Sequence, residues 1–257
     1  MFLDHDNGRL HLELDRPCGA QGPLMLLFHG FTGHMEEPHI LAVKDAALRA
    51  GCAVLRVELY GHGQSDGAFH DHTLFRWLTG AMAAADYAMS LPGVTELYLC
   101  GHSQGGLLVM LLASMLRDRI GGLIPLSPAW NIPEDTRRGT LLGHSFDPDH
   151  IPDELSLEPG RTLSGAYLRA AQTIYPEKVA PCYQGPVLLI HGTADETIPF
   201  AWGERAAALY RRCDFVPIEG DTHCYDHHLD QVAQAVQSWL SRHLASAGKG
   251  GNARCAG

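Results

Sequence analysis

The sequence has no excess of positive charge, no long apolar run and no paired metal-ligand spacing, and each absence excludes a class of function. Its 19 Lys and Arg stand against 29 Asp and Glu, a formal net charge of −10. A surface of that sign repels phosphate backbones and anionic headgroups, which argues against nucleic-acid binding and polybasic membrane attachment. A polyanionic substrate is disfavoured for the same reason. The longest apolar runs are too short to span a bilayer. The N-terminal MFLDHDNGRL has no basic region followed by a long apolar stretch, so no signal peptide and a cytoplasmic location are expected. The seven cysteines are scattered without a CxxC pair, several of them in apolar stretches such as Cys52-Ala53-Val54-Leu55. Buried, reduced thiols are the expectation. None of the 16 histidines falls in an H-E-x-x-H pattern, so no metal site is expected. G-x-G-x-x-G is also missing, which removes the dinucleotide fingerprint.

What is present is the composition of an ordinary globular protein, 46% hydrophobic and 19% charged over 257 residues. Asn7-Gly8, between Phe2-Leu3-Asp4 and the alternating Arg9 to Leu14, predicts a tight hairpin. The pattern then changes. Leu24 to Phe28, Ala53 to Val57, Leu97 to Cys100, Leu123 to Leu126, Val187 to Ile190 and Phe215 to Ile218 are short, nearly continuous apolar runs. Such runs predict strands covered on both faces. Between them, Ile40 to Ala50, Leu74 to Met89, Gly105 to Arg117, Ala201 to Tyr210 and Leu229 to Leu244 carry helical spacing. The alternation predicts an α/β fold with a mostly parallel, doubly wound sheet flanked by helices. It breaks once, over residues 127–183, where Pro, Asp and Gly are frequent. That stretch is too long for a plain loop and is read as an inserted cap or lid. The expected organisation is a core of 1–126 and 184–245, a cap of 127–183, and a small-residue, disordered tail of 246–257.

Gly101-His102-Ser103-Gln104-Gly105 has the G-x-S-x-G spacing, between an apolar strand and an apolar helix. A nucleophilic serine needs such a sharp strand-to-helix turn, and glycines two residues to either side remove side chains that would clash. The hydroxyl needs a base, and the base an orienting carboxylate, which follow in the chain order serine, acid, histidine. His191-Gly192-Thr193-Ala194-Asp195 and Asp221-Thr222-His223 each follow a predicted strand, where open α/β sheets place functional groups. The candidates are Ser103, Asp195 and His223, with Glu196 and Asp221 as rival acids and a helix cap as the structural reading of Asp195. His102 is expected to point away from the nucleophile. His227 and His228 are placed on the following helix, and His11, His70, His72, His144 and His150 on the surface. The oxyanion of an acyl-transfer intermediate needs pre-aimed N–H donors. Gln104, after the nucleophile, supplies one, and Phe31 in His29-Gly30-Phe31-Thr32-Gly33 supplies the other.

With these motifs the chain resembles the α/β-hydrolase family over nearly its whole length, and within it the bacterial cinnamoyl (feruloyl) esterases. The matching stretches are His29 to His34, Tyr60 to Gly67, Gly101 to Gly106, Leu126-Ser127-Pro128-Ala129, His191 to Pro199 and His223-Cys224-Tyr225-Asp226. The resemblance implies hydrolysis of ferulate, p-coumarate or caffeate esters through a Ser-His-Asp acyl-enzyme, without a cofactor. It implies Asp135 and Tyr167 as cap residues that meet the ring hydroxyls of the acyl group. Leu142 departs from relatives that carry an amide there. The resemblance implies a small aromatic ester as partner; a homodimer is left open, and the charge and the short apolar runs lead to the expectation of no nucleic-acid and no membrane partner. A monoacylglycerol or short-chain aliphatic lipase is the competing enzyme, against which the polar Glu134 to Arg138 and Phe146 to Asp149 argue. A non-catalytic binding protein on the same scaffold is the reading from another class.

Overall fold

The computed structural model describes residues 1–5, 8–17 and 21–250, with side chains described through residue 245. In chain order the core elements are β1 (Phe2–His5), β2 (Gly8–Asp15), β3 (Gly22–Phe28), α1 (Pro38–Arg49), β4 (Ala53–Val57), α2 (Leu74–Ser90), β5 (Val94–His102), α3 (Gln104–Leu116) and β6 (Gly122–Leu126). The inserted region holds α4 (Ile132–Arg137), β7 (Thr140–Leu141), β8 (His144–Ser145), β9 (Glu154–Glu158), β10 (Arg161–Ser164), α5 (Gly165–Gln172) and α6 (Pro176–Val179). The core resumes with β11 (Val187–Gly192), α7 (Phe200–Ala207), β12 (Cys213–Ile218) and α8 (Leu229–Gly250).

Eight strands form one sheet in the order β1-β2-β4-β3-β5-β6-β11-β12. Only β2 runs against the rest: it pairs antiparallel with both β1 and β4, and the remaining ladders are parallel. The apolar runs conceal a period of two. Leu24, Leu26 and Phe28 join one core with α2 and α3, while Met25 and Leu27 join the other with α1 and α8. That is why the run looks continuous: both faces of every central strand are buried. Each predicted strand and each predicted helix has a counterpart here, but β12 is an edge strand in which only Ile218 is buried, a correction to the expectation that both its faces are covered. The hairpin pairs His5 with Gly8, so its connection is residues 6 and 7, which lie outside the described residues. α8 continues past Leu244 to Gly250, so the backbone of 246–250 is helical, a correction to the expected tail boundary. Residues 251–257 lie outside the described residues. Among the described residues, no helix is long and apolar enough to cross a membrane.

The functional end of the sheet follows from register. From β3 the chain crosses to β4 on one side, then returns to β5 on the other. Phe28 stands opposite Gly101, His102 opposite Leu126, Leu126 opposite Ile190, and Gly192 opposite Ile218. The carboxyl ends of five neighbouring strands are therefore level. A cleft opens where the strand order reverses, as open α/β sheets require.

Candidate active site

Ser103 sits between β5 and α3 with φ 56° and ψ −118°. That is strained for a residue with a Cβ, and it persists because the surroundings over-determine it. A Cβ on Gly101 would lie 2.2 Å from Gly105 O, and one on Gly105 would lie 2.4 Å from His29 O. Only glycine lets the elbow fold and pack against the neighbouring strand end. Ser103 and His223 line one cavity of about 400 Å³, closed by Phe31 from the core and Ala129, Ile132, Leu142 and Leu157 from the insertion.

The rest of the constellation comes from the ends of β11 and β12. Asp195 Oδ2 lies 2.7 Å from His223 Nδ1, and its Oδ1 accepts the N–H groups of Thr197 and Ile198 at 2.9 and 2.8 Å. The carboxylate thus both shapes a local turn and orients the imidazole, but it does not cap a helix, because α7 begins at Phe200 and its N-cap is Pro199. Burial alone would raise its pKa, but hydrogen bonds from His191 and His223 outweigh that and hold it well below the usual carboxylate range. The rival acids are elsewhere. Glu196 is exposed, and the fully buried Asp221 accepts N–H groups from Thr222, His227 and His228. His227 and His228 therefore precede α8 rather than lying on it, a correction to the sequence expectation.

The two expected oxyanion donors share a construction. In a trans peptide the C=O and N–H point to opposite sides, so gripping the carbonyl aims the amide. The carbonyl of Gly30, in the peptide that carries the Phe31 N–H, accepts from His29 Nδ1 at 2.8 Å. The carbonyl of Ser103, in the peptide that carries the Gln104 N–H, accepts from Ala129 N at 2.8 Å and Leu107 N at 3.1 Å. His62 Nε2 donates to Phe31 O at 2.6 Å and fixes the next peptide of the same loop. Burial lowers the pKa of His29 to about 3, His62 pushing it the same way; the neutral ring is the one that can also accept from Leu59 N.

Several histidines stand where the sequence did not suggest. His11 and His72 are buried, not on the surface, and His72 packs edge-on against Phe31 and Tyr167. His144 lines the Ser103 cavity. His102 is buried beside that cavity, its Nε2 2.9 Å from the carbonyl of His223, so it holds the backbone of the base. Of the cysteines, Cys52 and Cys100 are buried, Cys213 and Cys224 half-buried, and Cys182 exposed against expectation. Cys18 and Cys255 lie outside the described residues.

The cap residues are not brought to Ser103. Asp135 lines an adjoining cavity with Trp202 and Arg138, and accepts from Asn131 Nδ2 at 2.7 Å. The two cavities meet at Leu142 and Thr197. Tyr167 is fully buried and its hydroxyl donates to Gln104 Oε1 at 2.5 Å. It braces the residue after the nucleophile instead of facing a substrate, a correction to the implied role. Sequence reasoning passed over His29, His62 and His191. Their available signal was the His-Gly pair repeated at strand ends, His29-Gly30 and His191-Gly192, and the Gly61-His62-Gly63 turn.

Comparison with known proteins gives the context. The family model for the alpha/beta hydrolase fold matches residues 23–172. The structure of Est1E from Butyrivibrio proteoclasticus with ferulic acid bound is 51% identical, with a TM-score of 0.94, covering 95% of this chain and 99% of that one. A second Est1E structure is 48% identical at a TM-score of 0.90, covering 95% and 98%. Protein ABHD12B of Homo sapiens is 26% identical over 193 residues, which are 74% of this chain and 50% of that protein. The chain spans between half and about three fifths of the length of the curated human and mouse relatives it matches.

Proposed function

The chain belongs to the alpha/beta hydrolase family, and from that premise we propose that it is a serine carboxylesterase that cleaves hydroxycinnamate esters. The observation that carries the chemistry is the Asp195–His223 contact of 2.7 Å beside the cavity that holds Ser103 at its strained turn. The substrate class rests on the likeness to Est1E, whose structure holds ferulic acid.

In this reading the Ser103 Oγ attacks the ester carbonyl while His223 Nε2 takes its proton. Asp195 fixes the tautomer by accepting from Nδ1 and stabilises the imidazolium that forms. The N–H groups of Phe31 and Gln104 receive the oxyanion; the Gly30 and Ser103 carbonyls of the same peptides are already engaged, so little reorganisation is left for the reaction itself. His223 returns the proton to the leaving alcohol, and water repeats the sequence to free the acid. The aromatic ring occupies the space between Phe31, Ile132 and Leu157, with Asp135 beyond Leu142 as partner for a ring hydroxyl.

Initial rates on methyl ferulate, methyl p-coumarate and an aliphatic ester of matched length test this, with Ser103→Ala as control. An aromatic preference and a fall of several orders of magnitude in the variant are expected. Near-normal turnover by Ser103→Ala removes the nucleophile assignment. An aliphatic preference that the variant abolishes keeps the nucleophile and moves the substrate to short-chain esters.

A further inference from the structure

The orienting carboxylate has a second histidine. His191, at the end of β11, is fully buried, with Nε2 2.9 Å from the carbonyl of Ile198 and 3.2 Å from Asp195 Oδ2. That oxygen is the one His223 Nδ1 approaches. The carbonyl is the better-aligned acceptor, and Oδ2 lies beside the same N–H. The other face of the ring settles the tautomer. Nδ1 is buried without a hydrogen-bond partner. A Cβ on Gly203 of α7 would come within 2.4 Å of it, and Phe200 stands edge-on to the ring at 5.8 Å. A proton on Nδ1 would be a buried donor with no acceptor, which is costly, whereas a proton on Nε2 faces two oxygens. Gly203 is what lets α7 approach closely enough to hold the ring in this orientation.

We infer that His191 is a positioning residue of the ester-cleaving site, whose Nε2–H both pins the 195–198 turn through Ile198 O and shares Asp195 Oδ2 with His223. The inference rests on the triad reading given above. Two consequences follow from the chemistry. By pinning the turn that carries Asp195, the N–H sets the line along which Oδ2 meets Nδ1, so the imidazole of His223 is held in one orientation. It also draws negative charge from Oδ2, so the carboxylate grips the His223 imidazolium less tightly than a carboxylate with one partner would. A base that releases its proton to the leaving alcohol benefits from that restraint. The other titratable groups around the pair are His102, Cys224 and Tyr225, with Glu37 and His39 acting on His223 from the far side. None of these approaches Asp195 Oδ2 within hydrogen-bond distance, so His191 is the group whose removal changes that oxygen directly.

The test compares His191→Leu, which removes the donor, with His191→Gln, whose amide restores one at similar reach. For His191→Leu, kcat falls about ten- to a hundredfold, by analogy with the loss of an outer hydrogen-bond partner that orients a metal-bound residue. KM changes little. The acid limb of the kcat/KM profile moves to higher pH, because an unshared carboxylate stabilises the imidazolium more strongly. His191→Gln returns both quantities most of the way. A second readout needs no turnover: the far-downfield proton resonance of His223 Nδ1–H moves in His191→Leu and returns in His191→Gln. Thermal melts establish that each variant is folded. If both variants lose rate equally, with the acid limb and the resonance unmoved, the residue is merely packing and the inference is wrong. Unchanged kinetics in a folded His191→Leu also overturns it. Ser103→Ala separates this from the triad reading, since its loss of activity stands whatever the His191 variants do.

Discussion

Asp195 divides its oxygens, and that division makes its role testable without unfolding the protein. In Asp195→Asn the amide oxygen still accepts from Thr197 and Ile198, so the turn survives. The amide nitrogen then faces His223 Nδ1, a donor against a donor, and the ring is driven to the wrong tautomer. The expected result is a kcat lower by about 10³- to 10⁴-fold, as in other triads so altered, with KM nearly intact. The melting temperature moves by no more than about 2–4 °C, corresponding to a loss under 1 kcal/mol. Steady-state kinetics and a thermal melt read both, and a collapse of stability with no separate kinetic effect would show that only the turn matters. At this scale the chain was legible where chemistry needs a fixed spacing. Ser103 announces itself between two glycines at a strand end, and Asp195 and His223 follow the last two strands of the sheet. The histidines were not. His72, between Asp71 and Thr73, has neighbours no less polar than those of the exposed His150, and only the packing of distant elements decides which ring is buried.

Arg56 shows what an element does that its apolar pattern hides. β4 reads as a buried strand, yet one of its five residues is a cation that is 4% exposed. Its guanidinium reaches Glu13 at 2.6 Å and Asp15 at 3.2 Å on the adjacent β2, donates to Met35 O at 3.2 Å, and pairs with Glu36 in the segment leading to α1. Three carboxylates from two segments converge on one residue, which staples the single antiparallel strand to the rest of the sheet. Arg56→Met keeps the bulk of the stem and leaves the carboxylates without their counter-charge. Because those carboxylates are partly solvated, the cost is expected at the lower end for a broken buried pair, about 3 kcal/mol. A urea titration reads it as a lower midpoint at constant slope; an unchanged midpoint contradicts the staple. The strands and long helices were readable because they bury continuous or periodic apolar sets. The hairpins of the insertion were not. Glu154–Glu158 and Arg161–Ser164 are largely polar and short, and they form because the core offers them a surface.

Viewed whole, the molecule is two apolar layers on a twisted sheet, with the reactive groups at the reversal of strand order and the insertion folded over them. The parallel sheet was legible from the alternation of patterns, whereas the seating of the insertion was not, since it depends on groups far apart in sequence. One such seat is polar. The β9–β10 hairpin brings Leu157, Glu158 and Arg161 to the Ser103 cavity, and it rests on the 3-10 turn Phe69–Asp71. There His70 Nδ1 lies 2.7 Å from Asp71 Oδ1 and Nε2 lies 3.2 Å from Glu154 Oε1, while Arg161 covers the Phe69 ring at 5.3 Å. The hydrogen bond that His70 donates to Asp71, with Glu154 adding to it, raises the pKa of His70 above the ordinary histidine value. A raised histidine stabilises the bound arrangement fully below its unfolded value of about 6.5, and that contribution disappears as pH rises through the folded value. The hairpin is therefore expected to sit more firmly at mildly acidic pH and to open more often at alkaline pH. Hydrogen exchange over residues 154–164, corrected for intrinsic rates, should show protection that falls across that window in the native chain and stays level in His70→Gln. Level protection in both chains would leave the cap held by Phe69, Arg161 and the apolar contacts alone, whereas the same fall in both would assign the pH response to a group other than His70.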